Sequence, residues 1–225
     1  MNRLILINFL SAAGLAIILF AVRRLLFVSE EIRQYILKAF CVLLLIFNVM
    51  RYTFNSVTAG KIKIPVEFSA VTYFVLPIIV LFNLNKIRPW GAYAGILAGS
   101  FFFLNGIFLG DKVYVGYNPV TVATSVLCHG ILLFCGLLMI SEKRYSKYAG
   151  WIITAGLVTS LIRTVLLRSF FNGGRGIFIY ELLFAYIPRE LFGNKVIPLY
   201  YLLLFVLASL TIVLFFKLNG KMAKK

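Results

Sequence analysis

The sequence predicts an all-α membrane bundle, on three observations. Of its 225 residues 62% are hydrophobic, mean hydropathy is +0.97, and the apolar residues gather into long uninterrupted runs. A globular chain has roughly 45–50% apolar residues. A helix crossing the roughly 30 Å hydrocarbon core needs about 20 such residues, at about 1.5 Å of rise each. Seven runs approach that length, so the predicted architecture is a polytopic protein with seven transmembrane helices in one bundle. The bundle forms a single domain over residues 1–225, with a short re-entrant or interfacial segment before the last span.

The runs are Leu4 to Val22, Gln34 to Tyr52, Phe68 to Leu84, Trp90 to Leu109, Val120 to Ile140, Tyr148 to Phe171 and Ile197 to Leu218. The first is followed by Arg23-Arg24 and not by a small-residue cleavage site, so it reads as a span. Pro77 in the third removes an intrahelical bond and predicts a kink. The fourth opens "GAYAGILAG", which puts Gly91, Gly95 and Gly99 on one stripe. Small residues at that spacing let two helices approach closely, within the chain or with a partner membrane helix. Between the last two spans, Ile177 to Ile187 is apolar but too short to cross, which suits an interfacial or re-entrant segment. Gly173, Gly174 and Gly176 around Arg175 suit a sharp turn there, or a nest for an anion.

The formal charge of +16 does not describe a nucleic-acid binder, which gathers its cations on one face among aromatics. Here the cations lie between the apolar runs. Assigned alternately to two sides, they are denser in segments 23–38, 85–89 and 141–147 and in the tail "KLNGKMAKK". That bias predicts a cell-membrane protein with its amino terminus outside and its carboxyl terminus cytoplasmic. Attraction to anionic lipid accounts for the basic tail. Cys41, Cys128 and Cys135 all fall within spans and read as buried thiols. One histidine without a cysteine cluster provides no zinc or haem site, and no dinucleotide fingerprint is present, so neither metal nor cofactor is expected.

What remains is a set of ionisable and polar groups at similar depth. His129 lies nine residues into the fifth span and Arg163 eight residues before the end of the sixth, about 14 Å and about 12 Å below the outer boundary. Asn48 and Asn105 occupy the outer ends of the second and fourth spans, Glu67 and Ser69 begin the third, and Glu181 lies in the last outer loop. Charges within a bilayer cost about 2.5–3.5 kcal/mol each on insertion scales, so their usual places are a bundle interior or a wet cavity. His129 fits either a helix-to-helix hydrogen bond or a reactive role. Arg163 fits snorkelling, pairing with Glu181, or contact with an anionic headgroup. A hydroxyl and an imidazole, Ser69 and His129, are the parts acyl transfer requires.

The layout resembles the bacterial YwaF integral-membrane family and its animal acyltransferase relatives. The likeness rests on the seven spans, the Pro-led third, the glycine-containing fourth, "CHG" in the fifth and the outer loop before the seventh, and covers most of the chain from Gln34 onward. It implies a histidine and then a cysteine two residues on at the entrance to the third span, and a second histidine in the fifth. In "IPVEFSA", Pro65 matches, Glu67 stands in place of that histidine and Ser69 in place of the acyl-carrying cysteine; His129 matches the second histidine. Serine is a poorer nucleophile than a thiolate and requires a base within reach.

The expected function is therefore that of a membrane protein with a polar cavity open to the outer leaflet, engaged in acyltransferase-like remodelling of membrane lipids. Ser69 would be the nucleophile, His129 the base and Glu67 an orienting or alternative acid–base group. Arg163 or Arg175 would hold a phosphate, with Asn48, Asn105 and Glu181 as further ligand contacts. A non-catalytic subunit or lipid or small-solute carrier, docking a partner helix through Gly91, Gly95 and Gly99, is the alternative.

Overall fold

The computed structural model describes residues 3–60, 62–65, 67–113, 119–167 and 196–223. Among them the chain is helical, with no strand. Its elements are α1 (Arg3–Leu25), α2 (Glu30–Thr58), α3 (Phe68–Leu81), α4 (Arg88–Val113), α5 (Pro119–Glu142), α6 (Tyr148–Leu167) and α7 (Val196–Met222). Each of the seven apolar runs overlaps one of these helices. Five, α1, α2, α4, α5 and α7, are long and apolar enough to cross a membrane. The other two are shorter apolar helices. With 14 residues, α3 rises about 21 Å, short of the roughly 30 Å core. The segment Ile177 to Ile187, with Arg175 and Glu181, lies outside the described residues.

The early end of α3 has a local cause. Asn83 adopts φ 52°, Leu84 N–H donates to the Ile79 carbonyl at 2.9 Å and Asn83 N–H to Val80 at 3.3 Å. Those are the two bonds of a Schellman stop with asparagine at the left-handed position, which the sequence "LFNLN" supplies. Pro77 is accommodated inside the helix.

The core lies along α4 and α5. From Ile131 to Ser141 every residue of α5 is buried, as expected of a helix surrounded by protein on all sides. Around this pair, α1 packs on α4 and α5, α2 on α3 and α5, α3 also on α4, α6 on α4, and α7 on both central helices. The glycine stripe explains the close central approach. A Cβ on Gly95 would meet the Leu132 carbonyl oxygen at 2.8 Å, and one on Gly99 would meet Leu133 Cβ at 2.5 Å and the His129 carbonyl oxygen at 2.7 Å. From the other side, a Cβ on Gly136 of α5 would meet the Ala92 carbonyl oxygen at 2.9 Å. The stripe is thus filled from within, by α5 and by Ile79 and Leu76 of α3.

At the end where α5 finishes, Arg88 and Glu142 form a nearly buried ion pair, with Arg88 Nη2 at 2.8 and 2.6 Å from the two carboxylate oxygens. Asn219 of α7 ties down the turn after α5. Its amide donates to the carbonyls of Ile140 and Lys143 at 2.8 and 2.9 Å, and its oxygen accepts from Tyr145 N–H at 2.9 Å. Burial raises the Tyr145 phenol well above its ordinary range, so it stays protonated. The outward faces of α1, α2 and α7 carry exposed Phe9, Phe20, Phe54, Phe205 and Leu214 among other large apolar side chains. So much contiguous apolar surface suits contact with lipid tails.

Candidate functional site

The site forms where α2, α3 and α5 meet, and each helix contributes through its own periodicity. Ser69 and Tyr73 are four residues apart, so both side chains lie on one face of α3. That sets the Ser69 hydroxyl one helical turn from the Tyr73 phenol. The Tyr73 hydroxyl in turn lies 2.9 Å from His129 Nδ1 and 3.1 Å from Nε2. His129 Nδ1 is also 2.8 Å from the carbonyl of Ser125, one turn back on α5. With the ring proton on Nδ1 donated to Ser125, Nε2 is left to accept from Tyr73. Phe102 of α4 lies flat on the imidazole, centroids 4.0 Å apart and planes 9° from parallel, while Tyr73 meets it edge-on. The backbone contact at Gly99 sets the depth of His129 against α4.

Beside His129, on the face of α3 that carries Ser69, stands a tyrosine that no motif in the sequence singles out. The i, i+4 relation to Ser69 was the available signal. Tyr73 is 4% exposed, and a buried phenol needs a hydrogen-bond partner.

Asn48 is buried on α2. Its amide donates to the Leu44 carbonyl at 2.9 Å and reaches Cys128 Sγ at 3.7 Å, while Oδ1 is enclosed without a partner. One turn further along α2, Arg51 and Tyr52 stand by the site: Arg51 interacts electrostatically with Tyr73, Cys128 and His129. Tyr52 interacts with both Glu67 and Arg163. Glu67 occupies the N-cap position of α3 in extended conformation. Arg163 donates through Nη2 to the Pro65 carbonyl, fixing the segment that leads into α3, and its Nη1 is enclosed without a partner. Asn105 is half-buried on α4. The structure thus joins Tyr73 to His129 by a hydrogen bond, sets Ser69 one turn from Tyr73 on α3, and places Glu67 and Arg163 within electrostatic reach of Tyr52. No group of three or more His, Cys, Asp or Glu among the described residues could hold a metal ion.

In chemical terms this is a phenol hydrogen-bonded to an imidazole, with a serine hydroxyl one turn away on α3 and Arg51, Arg163 and Glu67 nearby. Comparison with protein-family models, curated proteins and solved structures finds no match.

Proposed function

We propose that the chain is a multi-pass membrane protein that binds a phospholipid from the outer leaflet and transfers its acyl chain, with its amino terminus outside and its carboxyl terminus cytoplasmic. The observation that carries the reading is the Tyr73 hydroxyl, which hydrogen-bonds the His129 ring and stands on the same face of α3 as Ser69, one turn away. In the proposed step Ser69 Oγ adds to the ester carbonyl carbon while its proton passes to the Tyr73 oxygen and the Tyr73 proton to His129 Nε2. Collapse of the adduct breaks the ester C–O bond, and the departing alcohol takes back the proton by the reverse route. An acceptor alcohol then attacks the acyl-serine in the same manner. Arg163, with one enclosed nitrogen unpaired, holds the lipid phosphate, and Glu67 orients the rim. The YwaF-like arrangement of Pro65, Ser69 and His129 supports the same assignment.

A second reading, lipid binding without turnover, is favoured by the stacking of Phe102 and by the Ser125 bond, which together hold the imidazole as a packing element. Purified protein supplied with phosphatidylcholine carrying a labelled acyl chain separates the two. The acyl-transfer reading expects label released or moved to an added alcohol, and a rate about 100-fold lower in His129→Gln. Stoichiometric lipid retention without turnover would favour the binding reading, and equal turnover in both forms would remove His129 from the chemistry.

A further inference from the structure

At the opposite end of α2 lies a cation that the proposed acyl-transfer site does not use. The buried residues of this helix are Arg33, Leu37, Cys41, Leu44 and Asn48, a single inward stripe at three- and four-residue spacing. Arg33 begins it. It is 3% exposed, and its Nε, Nη1 and Nη2 are all enclosed with no hydrogen-bond partner. A guanidinium carries five N–H donors and does not give up its charge. Arg33 is thus a buried cation with every donor unanswered, an arrangement that proteins ordinarily resolve with an anion.

Among the described residues no carboxylate pairs with it. Of the described acidic residues, Glu30, Glu31 and Glu142 lie at this end. Glu142 is taken by Arg88 and by Gln34, while Glu30 and Glu31 face outward. Ser29, at the N-cap of α2, makes no side-chain capping bond, so the first amide groups of the helix add positive potential beside the guanidinium. The planar fork of arginine matches two oxygens of a phosphate. From the start of α2 at Glu30, Arg33 is about 4.5 Å along the axis, a depth at which lipid headgroups lie. Ile32 and Tyr35, 51% and 77% exposed, present outward surface for the remainder of a lipid. Basic recesses between helices on the charge-rich side are established sites for anionic headgroups.

We propose that Arg33 holds a phosphate group where α2 begins, either the headgroup phosphate of an anionic membrane lipid or a free phosphate ion. The site is separate from Ser69, Tyr73 and His129, so each can fail without the other.

The test is the melting temperature of the full chain purified in a neutral detergent, with phosphatidylglycerol, with inorganic phosphate and with neither. At about a hundredfold excess over Kd the ligand raises the wild-type Tm by about 5 °C. A response to phosphatidylglycerol alone assigns the phosphate to lipid; a response to inorganic phosphate as well assigns it to the small anion. Arg33→Met, which removes the unpaired charge, melts no lower than wild type in the absence of ligand and loses the shift. Arg33→Lys, which retains charge without the fork, keeps a reduced shift. The absence of any wild-type response, or an undiminished response in Arg33→Met, overturns the proposal.

Discussion

Single residues decide what this molecule can do chemically, and the informative one is Tyr73. Tyr73→Phe removes one hydroxyl and little volume, so the stability change is about 1 kcal/mol, the worth of an ordinary hydrogen bond. The proposed acyl transfer is expected to fall by at least about 10-fold, because its proton route from Ser69 to His129 runs through this hydroxyl; parallel measurement of Tm and turnover checks both. An active Tyr73→Phe protein would separate the proton route from the phenol. Reading the sequence alone located Ser69, His129, Glu67 and Arg163 because charges and an imidazole stand out in apolar runs. It passed over Tyr73 because 12 tyrosines in such a chain look alike until a helix face is assigned. In the sequence Arg33 is one of several cations in segment 23–38, since which side of α2 turns inward becomes clear only when α5 packs against it.

For the helices, the central pair is the element on which the site depends. Gly99→Ala would place a methyl 2.5 Å from Leu133 Cβ and 2.7 Å from the His129 carbonyl oxygen. It is expected to cost about 1–3 kcal/mol by forcing α4 from α5 and to displace His129. Gly150→Ala on α6 meets only Phe216 at 3.7 Å, an ordinary contact, and leaves Tm unchanged or higher; comparative melts distinguish them. The Arg88–Glu142 pair gives a second contrast. Arg88→Met leaves a carboxylate nearly buried without its cation, costing about 3–5 kcal/mol, and adding Glu142→Leu recovers most of that loss. Hydropathy made the helices legible, and the glycine spacing made their close approach legible. The length of α3 was not, because its end depends on the left-handed turn at Asn83 and not on loss of apolar character. The Asn219 contacts join residues 74 to 79 apart in sequence, and no local pattern announces them.

The molecule as a whole combines a buried α4–α5 axis with α1, α2 and α7 turned largely outward. Under the proposed orientation, a single cysteine placed near Arg3 in a variant lacking the three native cysteines is labelled by a membrane-impermeant thiol reagent from outside intact cells, and one at Lys221 only after lysis. Reversed labelling would move the Ser69 to His129 site to the inner leaflet. The central claim, that Ser69 receives an acyl group through Tyr73 and His129, is tested most directly by the intact mass of protein incubated with phosphatidylcholine. An added acyl mass is expected on the peptide containing Ser69, absent from Ser69→Ala and His129→Gln. Lipid turnover in wild type with no adduct on Ser69, or an adduct that persists in Ser69→Ala, would contradict it.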